Sequence, residues 1–447
     1  MTTEKGVAAK VVSIACRNPL ADIEVRRYSC KQSKRFYGIC LMLRRSLTLA
    51  ALLAAAPVAL QAQTNEGDFK PDADRPFTIS TVDHFNFPWK IAFLPDQRLL
   101  VSEKPGKIWL VTPGKNKIAV TGVPRVAYAG QGGLLSVAVA PSFAQDHGVY
   151  LSYSEGTPDD SGLALAHATL VAANGKASLA NLKVIWRQLP HGQGGQFGGY
   201  IAFAPDGKSL FLSSGERMRF TPAQDPNQAT GKILHLRLDG KPAPGNPWAG
   251  KTGATTVDLI DPPEDTEAAA TAPVRKVKVP APNLTPSETW TLGHRNPYGL
   301  AFDAQGRLWE TEMGPMGGDE LNLIEPGKNY GWPLVSYGIN YDGKPIPSHD
   351  SNDKYQKPVL YWTPVIAPGG LTFYYGSLFP QWRGSAFIGG LKVQGLVRVT
   401  FDGTKASEAN FWQLGHRIRD VVAGPDGALW LVEDEANGRL LRLTPKQ

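Results

Sequence analysis

Apolar residues in this chain run in short stretches, continuous or alternating, and a tight polar turn precedes many of them. Pro95-Asp96-Gln97-Arg98 leads into Leu99-Leu100-Val101, Asp146-His147-Gly148 into Val149-Tyr150-Leu151, and Pro205-Asp206-Gly207 into Leu210-Phe211-Leu212. The series continues with Asp303-Ala304-Gln305-Gly306 before Leu308-Trp309, Arg383-Gly384 before Ala386-Phe387-Ile388, and Pro425-Asp426-Gly427 before Leu429-Trp430-Leu431. Gly supplies positive φ and Asp bonds to nearby backbone, so such a turn between apolar runs predicts a β-hairpin. Helical periodicity is scarce. Six hairpins along one body predict an all-β fold of radially repeated sheets, a six-bladed β-propeller, with loops converging on a central channel. A pair of stacked sheets is the structural alternative. Trp309, Trp430, Phe211 and Tyr150 recur on the predicted strands and read as packing between sheets.

Two segments break this pattern. The stretch 249–288 is rich in Ala, Thr, Pro and charge and poor in aromatics, and reads as a surface loop inserted into the body. Near the N-terminus, Arg44-Arg45 precedes an apolar run from Leu47 to Leu60 and then Gln61-Ala62-Gln63. This is the layout of an export signal over 42–62: a charged start, an apolar run too short to span a bilayer, and a small residue for cleavage. Residues 1–41 show no clear period and read as an overcalled start or a disordered tail, with translation expected at Met42. An uncleaved anchor is the rival reading. The paired arginines leave a twin-arginine route open. The body is expected to comprise an extension over 63–86 and the propeller over 87–447, in the periplasm or secreted, with no stable membrane span after cleavage.

Charge and cysteine usage agree with that division. Of 47 basic and 40 acidic residues, ten and three fall within 1–62, leaving 37 of each sign in the body. A neutral body gives no nucleic-acid footprint. Cys16, Cys30 and Cys40 all precede Met42, so disulfides and thiolate metal sites are excluded from the body, which suits an oxidising compartment.

The chemistry concentrates around one strand-like segment, Leu300 to Thr311. Before it stands Gly293-His294-Arg295-Asn296-Pro297, and after it Glu312-Met313-Gly314-Pro315-Met316-Gly317-Gly318-Asp319-Glu320. A guanidinium fork, an amide, a turn that bares carbonyls and a run of carboxylates suit an anionic cofactor held against a hard metal ion. Other signatures are missing. Gly198-Gly199 opens no βαβ unit, Gly130-Gln131-Gly132-Gly133 lacks the lysine of a phosphate loop, and no Gly-x-Ser-x-Gly elbow occurs.

From about Phe87 onward these motifs occur in the order found in the soluble quinoprotein glucose/sorbosone dehydrogenases, and the chain resembles that family, particularly its aldose sugar dehydrogenase branch. The resemblance implies a six-bladed propeller that binds pyrroloquinoline quinone (PQQ) and Ca2+ and oxidises an aldose or related polyol at carbon, with a sugar as partner and an unidentified electron acceptor. Position by position, it places Gln131, ahead of Gly132-Gly133-Leu134-Leu135, beside the quinone. Arg295 and Asn296 form the Arg-Asn pair, with Arg295 at the quinone carbonyls. Lys392, Arg417 and Arg419 supply further cations, which suits a quinone bearing several carboxylates. Gly314 and Pro315 give the calcium turn through their carbonyls, and Asp319 and Glu320 either form a second calcium site or orient the loop.

One position departs from the resemblance. The family's catalytic histidine aligns with Gln196, and a nearby arginine with Tyr200. An amide has no useful proton affinity near neutral pH and cannot be a general base. Three readings follow: His191, from the glycine-rich loop, swings into the role; Glu216, aligned with the acid that partners the family histidine, accepts the proton; or the propeller is a binding module that retains the quinone site with little turnover. A calcium-dependent lactonase is a third class, and it would need clustered side-chain carboxylates. His294 and His416, each before an arginine, read as packing or supporting groups.

Overall fold

The computed structural model describes residues 64–260 and 267–446. The segments read as an export signal and a preceding tail lie outside the described residues. No described helix is long and apolar enough to cross a membrane.

Each predicted turn joins two antiparallel strands. Pro88–Phe93 pairs with Leu99–Glu103, Leu134–Val139 with Gly148–Thr157, and Gly198–Phe203 with Ser209–Ser214. Pro297–Phe302 pairs with Leu308–Glu312, Pro368–Phe373 with Ala386–Gly390, and Ile418–Ala423 with Leu429–Glu433. Further strands extend these pairs into three four-stranded sheets, one of five strands and one of eight. The five-stranded sheet gains Thr64–Asn65, in parallel with Leu360–Trp362. The eight-stranded sheet consists of two meanders joined where Ile118–Thr121 runs parallel to Lys176–Arg187.

The first strands of the hairpins stand side by side. Pro88–Phe93 packs beside Leu134–Val139, which packs beside Gly198–Phe203, followed by Pro297–Phe302, Pro368–Phe373 and Ile418–Ala423. Ile418–Ala423 then packs against Pro88–Phe93, so the circuit closes. Its last sheet includes Phe77–Phe85, paired antiparallel with Gly438–Pro445. The sheet structure therefore begins upstream of the boundary read at residue 87. That strand's alternation is interrupted by a register shift between Thr81 and Asp83, which blurs its period in sequence.

The insertion separates Lys232–Arg237 from Thr289–Leu292, which are neighbours in one sheet. It carries a two-stranded pair, Thr256–Ile260 with Val274–Lys278, where composition indicated only loop. Val257, Leu259 and Ile260 are buried, enough apolar surface to fix this small pair against the body. Trp309, Trp430, Phe211 and Tyr150 are buried, as their positions on the strands predict. Phe93 meets Trp430 edge-on at 5.4 Å, the kind of contact that locks neighbouring sheets.

All six first strands share one irregularity: their pairing shifts register near the start of the strand. A bulge there bends the strand and re-aims the residues just before it. The residues preceding these bulges include Gln131, Gln196, Arg295, Asn296 and Arg417.

Candidate active site

Those re-aimed residues meet in a cleft of about 730 Å3. Gln131, Gln196, Arg295, Asn296, Lys392 and Arg417 line it, together with Gly314, Pro315 and Asp319. Lys392 and the Gly314-Pro315 turn arrive from second-to-third strand connections at the same end. Loops from five hairpin units thus supply one cavity.

Arg295 lies at the centre of the polar contacts. Its Nη1 donates to the carbonyls of Met313 at 3.0 Å and Gly314 at 2.8 Å. The guanidinium lies 5.2 Å from the Trp332 ring and 5.7 Å from that of Tyr341. Glu312 accepts from its backbone N–H at 2.5 Å, which fixes the residue from behind. Nε of Arg295 and Oδ1 of Asn296 are buried without a hydrogen-bond partner among the described residues. Both are directional groups available to a ligand.

Gln196 occupies the left-handed region, φ 49°. Its N–H donates to Gln131 Oε1 at 2.8 Å, and Gln131 also accepts from the Tyr298 hydroxyl at 3.3 Å. With its amide oriented to satisfy both neighbours, Gln196 donates to Glu216 Oε1 and accepts from Arg295 Nη2 at 2.9 Å. Glu216 is fully buried, and its other oxygen accepts from the N–H groups of Arg219 at 2.5 Å and Phe220 at 2.6 Å. Burial raises its carboxyl pKa above the ordinary value, although Arg295 and these N–H groups pull it down. Glu216 therefore sits behind Gln196, one amide away from the cleft.

The Gly314-Pro315 turn depends on its glycine, because a Cβ on Gly314 would lie 2.3 Å from the Gly317 carbonyl oxygen. Asp319 braces the same turn, with Oδ1 accepting from Gly314 N–H at 2.8 Å and Oδ2 from Ala367 N–H at 2.6 Å. Burial pushes its carboxyl up to about 7. Of the two readings for Asp319, this geometry supports loop orientation.

Other predicted residues fall elsewhere. Glu320 does not line the cleft; it faces His349 Nε2 at 3.2 Å and accepts from Asn322 Nδ2 at 3.1 Å. Adjacent residues on a strand point to opposite faces, so Asp319 and Glu320 could not both face the cleft. His191 is also off the cleft wall, its ring packed so closely on Gly162 that a Cβ there would lie 2.4 Å from Cδ2. Arg419 is buried beside the cleft, and Asp434 accepts from its Nη2 at 2.5 Å and from Arg417 Nη2 at 3.3 Å. Burial raises the Asp434 carboxyl, but Arg419, Lys104 and Arg417 outweigh it and hold the group below its usual range.

Three contributors were missed in sequence. Tyr341, nearly half exposed, lines the cleft from a loop with no hydrophobic period. Asp434 pairs both arginines from the far side of a hairpin. Arg217, buried, donates to the carbonyls of Gly192 at 3.2 Å, Gly194 at 2.9 Å and Gly195 at 3.0 Å and stacks 3.8 Å from Phe197, so it folds the glycine-rich loop that delivers Gln196. A signal for Arg217 existed: several glycines in a row bare carbonyls that a buried guanidinium can collect.

Fold and cleft together define a β-propeller-type protein whose strand-end loops build a cationic, carbonyl-bearing pocket. A family model, Glucose / Sorbosone dehydrogenase, matches residues 85–257 and 266–442, and the chain belongs to that family. It is 36% identical over 374 residues to the aldose sugar dehydrogenase YliI of Escherichia coli K12, covering 81% of this chain and 91% of that protein. The crystal structure of the soluble E. coli aldose sugar dehydrogenase in the apo-form superposes with a TM-score of 0.72 at 35% identity, over 83% of this chain and 100% of that one. The PQQ-bound aldose sugar dehydrogenase of Streptomyces coelicolor gives 0.62 at 28% identity, over 84% and 100%.

Proposed function

We propose that this chain is an exported, six-bladed quinoprotein that binds PQQ and Ca2+ in the cleft and oxidises an aldose or related polyol. The blade count follows from taking the eight-stranded sheet as two fused four-stranded blades, consistent with the closed circuit of first strands. The observation that carries the functional reading is the convergence of Arg295, Lys392 and Arg417 on a cleft that also exposes the Gly314-Pro315 turn.

The residues fit both groups. Three cations from different blades suit a multiply carboxylated ring system, and the unpartnered Arg295 Nε and Asn296 Oδ1 suit its polar edge. The Gly314-Pro315 turn on the cleft wall offers carbonyl oxygens of the kind a hard cation takes, and Ca2+ there would share the Gly314 oxygen with Arg295 Nη1. PQQ bound there would supply a hydride acceptor, and Ca2+ would supply Lewis acidity. Gln131, Gln196, Asn296 and Arg295 orient sugar and ring. Gln196 would position the reacting hydroxyl, and with its amide turned off Glu216 Oε1 that oxygen would take the hydroxyl proton. Burial holds the Glu216 carboxyl above the ordinary value, which makes it a better proton acceptor than an exposed carboxylate.

A binding module with little turnover is the second reading, and the capping of Glu216 by Gln196 favours it. Titrating the calcium-loaded chain with PQQ and then adding aldoses, while recording the quinone spectrum, separates the two. Sugar-dependent reduction supports the dehydrogenase, with Glu216→Gln expected to slow it by about 10²–10⁴-fold at unchanged PQQ affinity. Binding without reduction by any aldose selects the module. Chelating calcium with EGTA is expected to abolish saturable PQQ binding, and restoring Ca2+ to recover it.

A further inference from the structure

Where the last of the six first strands, Ile418–Ala423, meets the first, Pro88–Phe93, one carboxylate gathers groups from other hairpins. Asp420 is fully buried. Lys90 Nζ donates to its Oδ1 at 2.8 Å and its Oδ2 at 2.9 Å, the Ile91 N–H donates to Oδ2 at 2.9 Å, and the Tyr200 hydroxyl donates to Oδ1 at 3.2 Å. A further hairpin closes the space, because a Cβ on Gly370 would lie 2.0 Å from Asp420 Oδ1 and 2.9 Å from the Tyr200 hydroxyl. The carboxylate has no room to retreat. Burial pushes its carboxyl above the ordinary value, and the Lys90 charge is the strongest influence pulling it back.

Tyr200 is one of the two departures read in sequence, and the quinone reading leaves it without a task. Its ring lies 5.0 Å from Lys90 Nζ and 5.1 Å from the Trp89 ring. Trp89 in turn meets Tyr298 edge-on at 5.6 Å, and the Arg419 guanidinium lies 5.8 Å from Trp89 and 5.6 Å from Tyr298. One aromatic cluster thus joins the Lys90–Asp420 pair to Arg419.

The backbone makes the same connection. Pairing in the first hairpin shifts register between Pro88 and Lys90, leaving Trp89 as the extra residue, and in the last between Ile418 and Asp420, leaving Arg419. Lys90 and Asp420 are therefore the first residues to pair again after each bulge. A bulge bends its strand and sets the direction of the residue it contains, so an ion pair between these two positions fixes both bulges at once. Among the described residues the Arg419 side chain has one hydrogen-bond acceptor, Asp434, and its Nε has none. Its aim depends on its backbone.

We propose that Lys90 is a positioning residue for the quinone site: clasped on Asp420 where the circuit of strands closes, it holds the bulge that directs Arg419 toward the cleft. The step from aim to cofactor affinity rests on the quinone reading of Arg419, whereas the clasp itself does not.

The test uses the full chain loaded with Ca2+ and two measurements, PQQ affinity from titration of the quinone spectrum and amide exchange over residues 417–421 without quinone. Lys90→Met keeps the length of the side chain and removes its charge, and is expected to weaken PQQ binding by about tenfold and to speed exchange over that segment several-fold. Lys90→Arg is expected to keep the parent values. Lys90→Met combined with Tyr200→Arg is expected to regain them, because position 200 already reaches the carboxylate and can return the charge from another strand. Should Lys90→Met not fold, Asp420→Asn opens the same clasp while leaving an ammonium that is partly exposed to solvent, and the same changes are expected. Parent-like exchange in the opened variants, unchanged PQQ affinity despite faster exchange, or the same losses in Lys90→Arg would each overturn the proposal. A parent chain that binds no PQQ would overturn the quinone reading instead, and exchange over 417–421 would still decide the clasp.

Discussion

Gln196 touches Glu216 at one end of its amide and Arg295 at the other, so changing this one side chain alters both the proton acceptor and the cationic fork. Replacing it with histidine puts a titratable nitrogen between the two. Gln196→His is expected to raise kcat with an aldose by roughly 10²-fold and to add an acid limb to the pH–rate profile near the histidine range, measured by dye-coupled turnover. In the parent chain the acid limb belongs to Glu216, whose pKa lies above the ordinary carboxylate value, so activity is lost as pH falls through that raised pKa. Asp434 makes a different point. It is the buried partner of Arg419, so Asp434→Asn leaves a buried guanidinium short of its counter-charge and is expected to cost about 3–5 kcal/mol in urea unfolding. The family motifs made Arg417 and Arg419 visible in sequence, but nothing local marked Asp434, because the contact crosses a hairpin. For Glu320 the sequence left two readings, a second calcium site or a brace for the loop, and it could not show that the alternation of the strand turns Glu320 away from Asp319 and toward His349.

The hairpins were the most legible elements, because Asp and Gly at a two-stranded turn act through their own backbone and need no distant partner. Phe77–Phe85 was not legible as a strand, since its pairing partner lies at the other end of the chain and its register shifts midway. The glycine-rich loop before Gln196 was recognised, but its conformation was not, because Arg217 holds it from another connection. Arg217→Lys keeps the charge and loses the planar fork. Faster amide exchange confined to residues 190–196 and a several-fold lower kcat are expected, with little change in far-UV circular dichroism.

At the scale of the whole molecule, buried carboxyls set the dependence of stability on pH. Burial pushes Glu288 up to about 7, against a hydrogen bond from Trp186. It pushes Glu408 up to about 8, against one from Trp362. These groups hold protons in the folded chain that the unfolded chain has released, so stability falls as pH rises from the unfolded value of about 4.5 through 8. The unfolding temperature measured by calorimetry is expected to be lower at pH 8.5 than at pH 5.5 by on the order of 2 °C, and Glu408→Gln to flatten that slope.

The pairing of Phe77 with Pro445 closes the last sheet with a strand from near the start of the described chain and the final strand of the chain. A circle built this way has no privileged opening. Joining residue 446 to residue 77 through a short flexible linker and cutting instead at the exposed turn Asp206-Gly207 would yield a circular permutant with the same neighbours for every first strand. The linear order of the blades is then a matter of where the gene starts, and the cleft, assembled from loops of several blades, would tolerate a new seam wherever the seam avoids those loops.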